Sequence, residues 1–321
     1  MKLDNLSFHD SPPLVSIAIL TCRRWDELKK AVESALAQDY SNKEILVVDN
    51  GSRDGTAENI AAHYPQVKVL SLPENLGACA GRNAGVRAAQ GEIVVTIDDD
   101  VYFDRSNAVG TVIDAFRKYP EVACFVFRVM NIHTGSLDLR CWAHSRNYGR
   151  FAMSSFETDA IVEGFCAFRK SIFQNVGGYY EPLFIYGEGG DLAYRIYDAG
   201  YKVVYYPEVV LWHSANPTGR NCNREVYFLT RNEFWVAWRH LSLLQVLRSI
   251  LIRLLTMAYI SLTRGHIPSF MSGIKDGLLG IIRGEHKRVP ISIEAEKRLR
   301  SIWQLDASAW EKYQQIKNNF Y

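Results

Sequence analysis

Residues 92–100 read Glu92-Ile93-Val94-Val95-Thr96-Ile97-Asp98-Asp99-Asp100, an apolar run that stops on three consecutive carboxylates. The run has the character of a buried strand. Three like charges crowded at its tip repel one another and cost stability unless a cation neutralises them. Carboxylate oxygens suit Mg²⁺ or Mn²⁺, which in turn hold phosphates. The carboxyl end of a strand is also where open α/β sheets bind ligands. A solvated acidic turn is the competing reading, because short acidic patterns recur by chance.

Working outward, strand and helix patterns alternate on the N-terminal side. Residues 14–20 form a β-rich run, and Trp25 to Gln38 carries apolar residues at helical spacing (Leu28, Val32, Ala35, Leu36). A second buried strand, residues 44–49, is closed by the turn signal Asn50-Gly51, after which Asp54 caps a helix through His63. A strand over 67–72, a helix over 77–90 and the strand 93–97 complete this half. Near-continuous Val/Ile/Leu strands joined by helices predict a parallel sheet covered on both faces. Beyond Val122, β-rich runs at 122–129, 161–168 and 202–206 mix with glycine-rich turns and one helix, 190–199. This reads as the second half of the same sheet, carrying an acceptor-side cleft. After about Asn221 only helical patterns remain, over 224–240, 241–263, 268–283 and 293–310.

The 321 residues suffice for a large core, and 48% hydrophobic with 22% charged residues is ordinary globular composition. A net charge of +2 argues against a nucleic-acid binder. The six cysteines form no Cys-x-x-Cys pair, and residues 1–10 lack the apolar core of a signal peptide, so reduced thiols in a cytoplasm are expected. The segment 241–263 is long enough to span a bilayer. However, Arg248 and Arg253 would each cost about 2.5–3.5 kcal/mol near its centre. Gln245, Arg248, Ser249, Arg253 and Thr256 share one polar stripe, which suits an interfacial helix better. The basic, aromatic-rich tail is therefore expected on a membrane surface, on the catalytic domain, or on a second subunit of a homodimer.

Other chemistry-bearing residues sit at element ends. Asp49, at a strand tip beside a turn, is placed to accept from the N–H edge of a pyrimidine base. Asn75-Leu76-Gly77 opens a helix rich in small residues, from which Arg82 offers a fork suited to diphosphate. The stretch has neither the dinucleotide glycine fingerprint nor a P-loop lysine. Glu188 and Asp191, one turn apart at a helix start, are candidate general bases for a sugar hydroxyl. The lone His213 reads more naturally as a packed or surface residue.

The order Ser16 to Thr21, Val47 to Ser52, Asn75-Leu76-Gly77 with Gly81-Arg82-Asn83, and Asp98-Asp99-Asp100 resembles the family 2 nucleotide-sugar glycosyltransferases of the GT-A fold. So do Val176 to Tyr179, Tyr186-Gly187-Glu188, Asp191-Leu192 and His213, and the resemblance covers about Leu14 to Ser214. The helical tail resembles that of bacterial enzymes building cell-surface polysaccharides, rhamnosyltransferases among them. The resemblance implies a Rossmann-like, mostly parallel sheet with helices on both faces, plus a C-terminal helical extension. It implies residues 1–13 as a tail, 14–220 as the catalytic domain (donor half 14–100, acceptor half 101–220) and 221–321 as the helical region. The implied activity is an inverting, Mn²⁺- or Mg²⁺-dependent transfer from a UDP- or dTDP-sugar to a glycan or lipid-linked glycan. Thr21, Asp49, Asn50, Asn75, Gly77, Arg82, Asp98, Asp99 and Gly164 would bind the donor. Asp98, Asp100 and His213 would hold the metal, and Asp191 or Glu188 would act as base. One departure stands out: where the family often carries Glu-Asp-x-Asp, this chain has Glu188-Gly189-Gly190-Asp191. A non-catalytic nucleotide-sugar-binding protein is the alternative that this departure favours; a sugar-nucleotide pyrophosphorylase ranks lower, because residues 21–25 after the first strand contain no glycine.

Overall fold

The computed structural model describes residues 11–214 and 221–303. The first part alternates as expected: β1 (Val15–Thr21), α1 (Trp25–Leu36), β2 (Lys43–Asp49), α2 (Thr56–His63), β3 (Lys68–Ser71), α3 (Gly77–Ala88) and β4 (Ile93–Asp98). Then come β5 (Val101–Phe103), α4 (Ala108–Lys118), β6 (Val122–Asn131), the short α5 (Tyr148–Phe151), β7 (Phe156–Glu157), β8 (Phe165–Arg169) and α6 (Lys170–Asn175). The chain continues through α7 (Glu188–Asp198), β9 (Lys202–His213), α8 (Cys222–His240), α9 (Leu243–Arg264), α10 (Ile267–Ile282) and α11 (Ile293–Trp303). The predicted last helix ran to 310; its residues beyond 303 lie outside the described residues, as do residues 1–10 of the expected tail.

All the named strands join one sheet, in the order β3-β2-β1-β4-β8-β6-β9-β5, with β7 beside β9. β1 to β4 are parallel where they pair, as predicted. The second half is mixed: β8 runs antiparallel to both β4 and β6, and β5 and β7 run antiparallel to β9. Helix α4 was not expected, although Val109, Val112, Ile113 and Phe116 carry a helical period and are buried.

Register aligns the chemistry. Thr21 stands level with Asp49, and Leu20 with Asp98, so the tips of β1, β2 and β4 open on one edge. Pairing of β5 with β9 sets Val101 opposite His213, and the Ser214 N–H donates to the Asp100 carbonyl at 2.8 Å. A histidine more than a hundred residues away is thereby brought to the acidic tip. The C-terminal helices share the core: one buried cluster holds Val94 and Cys166 of the sheet, Leu192 of α7, Phe234 and Trp235 of α8, and Leu299 of α11.

Candidate functional site

The strand tips open into a cavity of about 1070 Å³, large enough for a nucleotide-sugar and part of an acceptor. Its wall takes in Thr21, Asn50, Asn75, Arg82, Asp98, Asp99, Asp100, Glu188 and His213 from among the expected site residues.

The three aspartates have separate partners. Asp98 accepts from Arg82 Nη2 at 2.7 Å and lies against Gly164, whose backbone is left-handed at φ +83°. A Cβ there would sit 2.5 Å from the Asp98 carboxyl carbon, so only glycine lets the loop approach. Asp99 turns to Thr21 Oγ1 (2.8 Å) and Arg24 (2.9 Å); burial, against the pull of Arg24, pushes its carboxyl up to about 7. Asp100 meets Arg24 at 2.9 Å and His213 Nε2 at 3.7 Å. Burial alone would raise its pKa, but His213 and Arg24 hold it below the usual carboxylate range.

His213 is buried, as a packed histidine would be, but it also lines the cavity. Its Nδ1 meets Asp138 Oδ2 at 2.8 Å and Cys141 Sγ at 3.6 Å, which leaves Nε2 toward Asp100. Burial opposes the charged ring, yet the bonds to Asp100 and Asp138 carry its pKa up to about 12. A carboxylate gripping one ring nitrogen while the other faces a ligand position is the usual support of a metal-binding histidine. Two donor groups are thus available around one ring. On the Nε2 side stands a carboxylate oxygen of Asp100, 3.7 Å away; on the Nδ1 side, ligand atoms of Asp138, Cys141 and His213 lie within 4.8 Å of one another. Carboxylate oxygens with one imidazole suit Mn²⁺ or Mg²⁺, whereas a thiolate favours softer ions. The Nε2 side therefore fits the expected ion.

Asp138 was missed by sequence reasoning. It follows the turn Thr134-Gly135-Ser136 and is pulled back to the sheet when its N–H donates to the Val129 carbonyl at 2.9 Å. An acid between two leucines after a turn is the signal that was available.

The end of the cavity at the tips of β1 and β2 is built by asparagines. Asn50 Nδ2 donates to the Gly77 carbonyl (3.1 Å) and its Oδ1 accepts from Leu76 N–H (3.0 Å), while Asn75 Oδ1 accepts from Gly77 N–H (2.9 Å). These bonds fix the start of α3 and hence Arg82. Asp49 is buried, with Oδ1 accepting from Ser52 N–H at 2.9 Å; Cys22, Asn50 and Asn75 form the cavity wall at that end.

The two expected bases separate. Glu188 lines the cavity, 1% exposed, with one oxygen 3.6 Å from Arg82 Nη1 and Oε2 without a partner. Asp191 does not reach it. It is fully buried, held by Arg195 and by His240 Nε2 at 2.7 Å, with Arg239 at 3.5 Å. Burial would raise its pKa, but His240 and Arg195 hold it at about 2. Although one turn from Glu188, Asp191 is drawn to His240 and Arg239 of α8 and to Arg195 of its own helix, so it stands outside the cavity that its expected role as base requires and anchors the C-terminal helices instead. Glu163, on the loop before β8, lines the cavity beside Glu188. Burial raises the proton affinity of both carboxylates, and the charge of Glu163 raises that of Glu188 further.

Residues 16–177, half of the chain, match the family described as Glycosyl transferase family 2. The O-antigen chain rhamnosyltransferase WbaN of Salmonella anatum is 28% identical over 207 residues, which is 61% of this chain and 64% of that protein. Among solved structures, the mannosyltransferase PcManGT of Pyrobaculum calidifontis, in complex with GDP-Man and Mn²⁺, superposes at a TM-score of 0.58 with 17% identity, covering 97% of this chain and 87% of its own. TarS 1-349 of S. aureus in complex with UDP does so at 0.58 and 14%, covering 95% and 89%. These likenesses carry the GT-A fold. With half of its length matched, and the strand tips of that matched half opening onto one cavity, the chain belongs to glycosyl transferase family 2.

Proposed function

We propose that this chain transfers a sugar, with inversion, from a UDP- or dTDP-sugar to a hydroxyl of a glycan or lipid-linked glycan, using Mn²⁺ or Mg²⁺. The observation that carries the reading is the meeting of Asp98, Asp100, Arg82 and an Asp138-supported His213 on one cavity. Asp98, Asp100 and His213 Nε2 would hold the ion, which when bound neutralises charge on the leaving diphosphate. Arg82, pinned by Asp98, presents its guanidinium to the same diphosphate. Asn50 and Asn75 shape the nucleotide end. The acceptor proton passes to a carboxylate of the Glu163–Glu188 pair.

The described C-terminal helices support a site for the acceptor on a membrane. Helix α9 is long and apolar enough to cross a bilayer by length and composition. Part of its polar stripe turns inward, where Ser249 and Arg253 bond to Glu233 and line the cavity with Thr256, while Arg248 stays exposed. Its outer face bares Leu243, Leu244, Leu247, Leu251, Leu255 and Leu262, each more than half exposed. A helix with part of its polar side against the protein and leucines outward fits the plane of a lipid surface. On this reading the enzyme works at the cytosolic membrane face.

Thermal unfolding in UDP, dTDP, GDP and their sugars, with and without MnCl₂, tests the donor reading, because binding to the native state raises stability. A Mn²⁺-dependent rise for one uracil or thymine nucleotide is expected. No rise for any nucleotide, or full turnover by Asp100→Asn and in excess chelator, would remove the metal-assisted mechanism.

A further inference from the structure

The acid that the family often places second in Glu-Asp-x-Asp is Gly189 here, yet its space is not empty. A Cβ on Gly189 would collide with the Ile161 carbonyl oxygen and with Glu163 Oε1. The backbone of Gly189, in the first turn of α7, instead faces the Glu163 carboxylate, whose Oε1 crowds the position of that Cβ. A carboxylate from the loop before β8 therefore stands where a side chain of residue 189 would project. The helix N-terminus favours its charge. Glu163 is partly exposed and lines the cavity with Arg82 and Asp98, whereas Glu188 is 1% exposed and Asp191 is shut away in an ion pair.

We propose that Glu163 is the general base of the transfer, a role moved from the α7 motif to the loop that packs against Gly189. In the step, the acceptor O–H bond breaks with its proton going to the Glu163 carboxylate. The freed electron pair forms the bond to the anomeric carbon. The bond from that carbon to the diphosphate oxygen breaks, and its pair leaves on the diphosphate. Glu188 and Asp98 hold Arg82 and do not meet the acceptor. The assignment rests on the glycosyltransferase reading above.

Hydrolysis of the donor that the parent chain turns over provides the assay, with water standing in for the acceptor. Glu163→Gln should lower kcat by at least about a hundredfold, while calorimetry with UDP or dTDP and MnCl₂ gives a Kd within a few-fold of the parent. Glu163→Ala should regain turnover with added formate. If Glu163→Gln fails to fold in thermal unfolding, Glu163→Asp serves in its place, with partial turnover expected. Turnover within a few-fold of the parent in Glu163→Gln overturns the proposal. So does formate rescue of Glu188→Ala but not of Glu163→Ala, or loss of nucleotide binding in step with kcat. A parent chain that binds no nucleotide would instead overturn the underlying reading, so the two failures are distinguishable.

Discussion

Around the imidazole of His213, Asp138 sits at 2.8 Å on one nitrogen and Asp100 at 3.7 Å on the other. Removing Asp138 frees the ring to rotate and removes the charge that makes Nε2 a strong donor. Asp138→Asn should therefore raise the Mn²⁺ concentration for half-maximal turnover by about 10–100-fold, with turnover at saturating metal largely kept. A titration that leaves the midpoint unmoved would show that Asp138 does not support the ion. Residues of this kind were only half legible in the sequence. Asp98 and Asp100 announced themselves because they end a continuous apolar strand, and Arg82 because it follows a glycine-rich helix start. Asp138 and Glu163 sit on irregular loops, where no period marks them. Their neighbours in space, His213 and Gly189, are 75 and 26 residues away in the chain.

Among elements, α7 shows how a motif can be read correctly in place and wrongly in direction. Its first turn was expected to aim two carboxylates at the cleft, and it aims one; Asp191 clasps His240 of α8 and Arg195 of its own helix. Breaking a buried ion pair from one side leaves the partner charge unmatched, so Asp191→Asn should cost about 3 kcal/mol in denaturant unfolding. The folded pKa of about 2 lies below the ordinary 3.8. The stabilisation is thus complete above pH of about 4 and is lost as the pH falls toward 2. Acid unfolding of the parent should steepen in that window, and Asp191→Asn should lack that component; identical acid curves would refute the anchor. The parallel half of the sheet was legible because its strands are continuous Val/Ile/Leu runs. The antiparallel pairings of β8 with β4 and of β5 with β9 were not, since register across long separations leaves no local pattern.

At the scale of the whole molecule, composition overstated the basic surface of the tail. Arg231 donates to the Leu183 carbonyl and Arg288 to carbonyls of Trp238 and Leu241, Arg239 lies over Tyr180, and Arg253 pairs with Glu233. Trp235 is packed inside; Tyr259 is the aromatic of this region that stays 48% exposed. The exposed surface is mixed: Leu243, Leu247, Leu251 and Leu255 reach it, and so do Arg248, Lys275, Arg283 and Lys287. Flotation with phosphatidylglycerol-containing liposomes should therefore carry the protein at low salt and still in part at high salt, because apolar insertion is not screened as charge is. Leu247→Glu with Leu251→Glu should abolish co-flotation without changing nucleotide binding, and a parent chain that never floats would exclude the membrane. Helix α9 has one further consequence. Its inner side borders the cavity and its outer side would rest on lipid, so the bilayer plane and the reacting carbon are separated by little more than one helix diameter, about 10–12 Å. On the proposed membrane reading, such a fixed offset would work as a ruler: a lipid-linked chain whose terminal hydroxyl lay at that height would be extended, and one already lengthened by several sugars would overshoot.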